Sequence, residues 1–324
     1  ETVLDNLTDT LQRLKELAVA ANSGAINDNN LQAYRAETGQ IKNQVLDYAN
    51  TKTANGEYLF GGGKSRNKPF SSVGGALQYN GDQTQNYIQI SDSRKVMGAD
   101  SGDKIFQRIL DGNGKFSATA DQSNTGSGVI GSDSVIDSAS FMNANYSIEF
   151  TSNNNFNVVN TDSGTTVLAA QNFTEGDAIQ FDGMEIAIQG NPAAGDQFTL
   201  APSRHQDMLS IVDQFYSALS SKPENSADNA RYHQAIDQVL ENLNHALDHV
   251  GSVRSDLGSR LGYIDNTRSE NESVNLVLTQ TRSRIEDTDF AAAISNLQTQ
   301  MTTLEAVRQT YSKIGSLSLF DYLR

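Results

Sequence analysis

The chain has 324 residues, with 24 basic against 39 acidic side chains and a formal net charge of −15 at pH 7. That balance repels nucleic acid and anionic membrane surfaces, so neither is expected as a partner. Cysteine is absent, which excludes disulfides, thiolate metal centres and cysteine nucleophiles.

The first residues, ETVLDNLTDT, lack the basic and apolar parts of a secretory signal, and no apolar run is long enough to span a bilayer. The chain opens on Glu1 inside a helical pattern, with no initiator methionine and no cap, which predicts natural residues upstream. Over 1–22, Leu4, Leu7, Leu11, Leu14 and Ala18 recur at three- and four-residue steps and draw one apolar stripe along a helix. After the polar break SGAINDNN the spacing resumes with Leu31, Tyr34, Thr38, Ile41, Val45 and Tyr48, so a second helix is expected to fold back on the first.

At Asn55-Gly56 the pattern changes, and from Tyr58 to about Pro202 short alternating apolar runs sit among Gly, Ser, Asn and Thr. The clearest unit is AIQFDGMEIAI, where Asp182-Gly183 supplies the turn of a two-residue hairpin. YSIEF, FNVVN and TTVLA read as neighbouring strands of the same sheet, closed by QFTL before Pro202. Asn80-Gly81 is a second turn signal, between LQY and YIQI. GDKIFQRIL reads as short helix, and residues 111–134 as Gly/Ser-rich loop.

Helical spacing returns with Met208, Val212, Phe215 and Leu219, and Lys222-Pro223 ends it. From about Asp228 to Ile285 a longer stripe runs through Ile236, Leu240, Leu243, Leu247, Val250, Leu257, Leu261 and Ile264. At 1.5 Å per residue such a helix is roughly 80 Å long, which implies a rod rather than a compact globule. Gly251, Gly258 and Gly262 weaken it locally and suggest close packing or a joint.

Beyond the acidic break EDTD, the last helix carries Phe290, Ile294, Leu297, Met301, Leu304, Tyr311 and Ile314, then runs into LSLFDYLR. Full burial of seven such side chains represents on the order of 10–20 kcal/mol, which an isolated helix forfeits. The stripes of 1–50 and 206–285 can satisfy one another as ordinary core; that of 290–324 needs a partner.

Signs of chemistry are weak. GGGKS at Gly61 to Ser65 has the glycines, Lys and Ser of a phosphate loop, but its first glycine would fall on Tyr58, so a turn with solvated Lys64 and Arg66 is expected. His245 and His249 are one helical turn apart, with no glutamate base beside His245, and read as histidines on a solvated face. DGNGKF starts like a calcium loop but places Lys115 where an oxygen ligand is needed. No nucleophile elbow occurs, and scattered acidic residues leave paired catalytic carboxylates unsupported. No catalytic residue, cofactor or metal site is expected.

Three stretches carry a family resemblance. LQRLKELAVAANSG with the second helix resembles the flagellin superfamily of bacterial axial proteins. ANTKTANGEYLFGGGKSRNKPF, with DSGDKIFQRIL downstream, is similar to the passage from helix to β in that superfamily's hook-associated protein 3 family, the hook–filament junction proteins. SRIEDTDFAAAISNLQTQMTTLEAVRQTYSKIGSLSLFDYLR resembles the same family at its terminus. The insert at about 130–202 resembles β modules of several hook-associated proteins.

The resemblance implies an α+β fold: an elongated antiparallel helical bundle, a flagellin-like rod, with an inserted β-rich domain. The expected domains are a helical hairpin over 1–58, a β-rich region over 59–202 whose outer part is mainly 130–202, long helices over 203–289, and an assembly helix and tail over 290–324. It further implies a non-enzymatic subunit of the bacterial flagellum, extracellular and exported through the flagellar type III channel without a cleaved signal peptide. Its implied partners are further copies of itself in a ring, a neighbouring hook-associated protein, flagellin and an export chaperone. Subunit or chaperone contact is assigned by this resemblance to Phe290, Ile294, Leu297, Met301, Leu304, Tyr311, Ile314, Leu317, Leu319 and Phe320. The family's N-terminal partner helix has no counterpart in the sequence, which implies a chain unable to polymerise as it stands. A divergent flagellin is the alternative, and a secreted adhesin or hydrolase on a flagellin-like scaffold, with 111–202 as its active part, a more distant one.

Overall fold

The computed structural model describes residues 1–23, 27–73, 76–220, 223–287 and 289–316. Two compact units emerge, Glu1–Tyr263 and Ile264–Arg324.

The first unit opens with α1 (Thr2–Ala21) and α2 (Asp28–Ala49), and α2 is capped where the Asn27 side chain accepts the Asn30 N–H at 2.9 Å. Two small hairpins follow, β1 (Phe70–Val73) with β2 (Ala76–Tyr79) and β3 (Tyr87–Ser91) with β4 (Arg94–Met97). Then come α3 (Gly102–Phe106), β5 (Ile109–Leu110), β6 (Phe116–Ala120), β7 (Val129–Val135), β8 (Tyr146–Ser152), β9 (Asn155–Asn160) and β10 (Thr165–Asn172). After these lie β11 (Ala178–Phe181), β12 (Met184–Gln189), β13 (Gln197–Pro202), β14 (His205–Gln206), α4 (Met208–Ala218) and α5 (Ser226–Glu286). The last helix, α6 (Phe290–Ser316), belongs to the second unit, to which α5 also contributes.

Apolar side chains gather in two cores. In the first, Leu7, Leu11 and Leu14 of α1 meet Ile41 and Val45 of α2, Val212 and Phe215 of α4, and Ile236, Leu243 and Val250 of α5. Phe60, Phe70 and Phe106 join it through edge-on ring contacts of 5.3–5.4 Å between centroids, so the β1–β2 hairpin and α3 are anchored to the helices. The stripes read from 1–50 and from Met208 to Leu219 line this core, with Tyr34 and Tyr48 half-buried at its edge.

The second core lies between two sheets. A five-stranded antiparallel sheet runs in the order β10-β9-β8-β13-β6, and a three-stranded one in the order β11-β12-β7. Tyr146, Ile148, Phe150, Val158, Phe198 and Leu200 of the first share this core with Phe181, Met184, Ile186 and Ile188 of the second.

Here the structure corrects several readings. AIQFDGMEIAI forms its hairpin as expected, with Asp182 at φ +43° and Gly183 at φ +77°, but it pairs with β7 and not with the sheet of YSIEF, FNVVN and TTVLA. QFTL does not close that sheet; β13 lies inside it, between β8 and β6. Residues 111–134 are not all loop. Phe116 and Ala118 point inward while alternate residues do not, and β7 owes its place to backbone pairing with β12, which a Gly/Ser-rich sequence does not advertise. Asn80-Gly81 joins two separate hairpins rather than turning one, and the helix of GDKIFQRIL stops at Phe106 because Ile109 and Leu110 pair with β14.

Two expectations for α5 also change. Gly251, Gly258 and Gly262 face open space, so nothing packs closely on them. Val274, Leu276, Val277, Leu278 and Ile285 are exposed, so the later part of this helix, unlike its start, leaves its apolar side chains uncovered by the described residues.

Candidate assembly surface

The last helix starts where the Asp289 carboxylate accepts the Ala291 and Ala292 N–H groups, both at 3.1 Å, offsetting unpaired donors of the first turn. Thr299, Thr302, Thr303 and Thr310 each return their hydroxyl to the carbonyl four residues back, so the polar side of α6 is largely self-satisfied. Its charged residues are only Glu305, Arg308 and Lys313.

None of the described residues of α6 is buried. Phe290, Ile294, Leu297, Met301, Leu304, Tyr311 and Ile314 lie 57–80% exposed, as does Val307. Val307 escaped the sequence reading, which stepped from Leu304 to Tyr311; yet it stands three residues after the one and four before the other, and completes the stripe. Leu317, Leu319 and Phe320 lie outside the described residues. Eight large side chains on one helix form an apolar patch beyond what a monomer ordinarily leaves in water, and they offer packing rather than chemistry.

Elsewhere, the glycine loop Gly62–Lys64 is a short 3₁₀ turn whose Gly63 N–H is taken at 2.7 Å by Asp82, which also accepts the Thr84 N–H at 3.0 Å. These bonds hold the Asp82 carboxyl below its usual range, and a carboxylate already occupies the place a phosphate would need. His245 and His249 are not on a solvated face. Both are half-buried, and His249 Nε2 meets the Lys104 carbonyl at 2.7 Å. In DGNGKF, Asp111 binds the Arg204 N–H at 2.6 Å and Asn113 Oδ1 binds the Lys115 and Phe116 N–H groups, both at 3.0 Å, so these oxygens close a turn. Among the described residues no group of three or more His, Asp or Glu is placed to hold a metal, and no helix is long and apolar enough to cross a membrane.

Comparison with known proteins agrees with this geometry. Residues 1–65 match the bacterial flagellin N-terminal helical region and 240–323 the bacterial flagellin C-terminal helical region, while 119–202 match a D2-like domain of flagellar hook-associated protein 1. The crystal structure of hook-associated protein 3 from Legionella pneumophila superposes with a TM-score of 0.83 at 33% identity, covering 89% of this chain and 91% of that one. That of FlgL from Xanthomonas campestris gives 0.82 at 29% identity, covering 87% and 91%. Flagellar hook-associated protein 3 of Escherichia coli (strain K12) is 24% identical over 322 residues, 99% of this chain and 75% of that one.

Flagellin-type helical regions flanking a β insert with a hook-associated D2-like module define a structural subunit of the flagellar axis, of α+β fold. Within that class the chain belongs to the flagellar hook-associated protein 3 family.

Proposed function

We propose that the chain is the adaptor subunit between flagellar hook and filament, acting mechanically and without catalysis. The observation that carries this reading is the apolar stripe of α6, from Phe290 to Ile314, left uncovered on a helix in the flagellin C-terminal region. In the adaptor, this stripe packs against terminal helices of neighbouring copies in a ring. The two faces of the ring meet a preceding hook-associated protein and flagellin. The same stripe, with Leu317, Leu319 and Phe320, is what an export chaperone holds before assembly, and passage through the flagellar channel needs no cleaved signal. The helical parts 1–58 and 203–289 serve as the scaffold, 59–202 as the outward β region, and 290–324 as the assembly segment.

Kinship with hook-associated protein 3, including a Legionella pneumophila relative described as the flagellar junction protein, favours this over a filament subunit. Gene deletion tests it. The expected phenotype is hooks without filaments, with flagellin lost to the medium; normal filaments in the deletion strain overturn it.

A further inference from the structure

At one end of its sandwich the β module leaves large apolar side chains in water. The N–H groups of Ile136 and Asp137 bond the Gly183 carbonyl at 2.9 and 3.2 Å, which holds the segment after β7 against the β11–β12 turn. Between the two lies an open concavity of about 650 Å³ whose lining includes Ile136, Phe141 and Met142, with Ile136 50% and Met142 56% exposed. Carboxylates stand around this apolar floor. Asp137 and Asp182 line it, Asp182 accepting the Tyr146 hydroxyl at 2.8 Å, and Asp162 accepts the N–H of the adjacent Asn145 at 2.8 Å. Bonds from Ser140 and Ala139 hold the Asp137 carboxyl below its usual range, and bonds from Asn145 do the same for Asp162, so both are ionised at neutrality.

An apolar floor rimmed by carboxylates fits side chains with an aliphatic stem and a cationic head. The module itself has none to offer, since residues 116–202 contain ten Asp or Glu and no Lys, Arg or His. Residues 52–108 are the reverse, with eight Lys or Arg against five Asp or Glu in a chain of net charge −15. Within them Lys64, Arg66 and Lys68 are exposed, and none of the three enters an ion pair among the described residues. Their loop is held in shape: the Ser65 carbonyl accepts the Tyr58 N–H at 2.6 Å, the Lys64 carbonyl accepts the Asn67 N–H at 3.0 Å, and Asp82 ties down Gly63. A loop already ordered loses little freedom on docking.

We propose that the concavity floored by Ile136 and Met142 docks the Lys64–Lys68 loop of a second copy of this chain, the aliphatic stems covering the floor and the cationic heads meeting the carboxylates. Exposed ion pairs alone add little, but here they accompany burial of two large apolar side chains. Because the two surfaces differ, the contact is head-to-tail and repeats from copy to copy instead of closing a pair. It uses no residue of α6 and does not require the junction role, so its test is independent of the gene deletion.

Carbodiimide coupling joins a lysine amine to a carboxylate in direct contact, and a concentrated equal mixture of unlabelled and heavy-nitrogen-labelled full chain separates links between copies from links within one. Mixed-label peptides joining Lys64 or Lys68 to Asp137, Asp162 or Asp182 are expected. Their yield should fall on the order of tenfold as salt is raised from about 0.01 M to about 1 M, because the screening length shrinks from about 30 Å to about 3 Å. Arg66→Glu keeps both lysines and should lower the yield to a similar extent; Met142→Asp keeps all three carboxylates and should lower it too. Both replaced side chains are exposed, and circular dichroism checks that each variant folds. Links found only within one chain, links from these lysines mainly to carboxylates of the helices, or an R66E yield equal to wild type would each overturn the proposal.

Discussion

The phenol of Tyr232, on α5, donates a hydrogen bond of 2.9 Å to the carbonyl of Ala21, the last residue of α1. That carbonyl is one of those for which the helix has no internal partner. Burial pushes the Tyr232 phenol up to about 12, so it stays a donor at any physiological pH. Tyr232→Phe should cost about 1–2 kcal/mol, because the buried acceptor is left unpaired while the ring remains. Urea unfolding should show the midpoint fall with an unchanged slope.

A second tie joins Arg260 of α5 to Asp100 in the turn before α3, with Lys104 reaching the same carboxylate at 3.2 Å. Both members of the Arg260–Asp100 pair are largely buried. Asp100→Ala therefore leaves a guanidinium stranded and should cost about 3 kcal/mol, more than loss of an exposed pair such as Arg268–Glu272. Thermal unfolding of Asp100→Ala and Glu272→Ala side by side checks the difference.

In the β module, Gly183 combines φ +77° with a crowded site, since a Cβ there would lie 2.4 Å from the Asp137 carbonyl oxygen. Gly183→Ala should destabilise by more than about 1 kcal/mol and disturb the β11–β12 hairpin. Gly164 has φ +70° but open surroundings, so Gly164→Ala isolates the conformational part and should cost less. Amide shifts over residues 178–189 distinguish a local from a global effect.

The stripe of α6 yields the prediction that separates folding from assembly. Leu297→Asp combined with Met301→Asp replaces exposed side chains, so the unfolding free energy should stay within about 0.5 kcal/mol of wild type. With both substitutions made in the chromosomal gene, incorporation into flagella should nevertheless be lost. A large drop in stability, or normal incorporation, would contradict the division of labour. By the same argument, removal of 290–324 should leave both cores folded, as judged by retained circular dichroism and cooperative unfolding.

Helix periodicity was legible because it needs only local geometry: Leu7, Leu11 and Leu14 sit inward for the same reason that they recur at three and four residues. The Asp182-Gly183 turn was legible because few residues accept its backbone angles. The α6 stripe was likewise readable, although Val307 was passed over in it. What the sequence could not disclose was partnership over distance. Strand β7 exists through backbone pairing with β12, some fifty residues on, and a backbone bond leaves no mark on side-chain pattern. His245 and His249 share α5 with Gln234 and Gln238, which bond the Ile130 N–H and the Ala118 carbonyl, yet only the folded chain shows that this face meets Gly114 and Lys104 rather than water. Composition and spacing thus determined which long segments are helical and that the last of them carries an apolar stripe. The tertiary structure decided how strands divide between two sheets and which polar side chains become buried contacts, because both depend on which segments distant in sequence come to lie side by side.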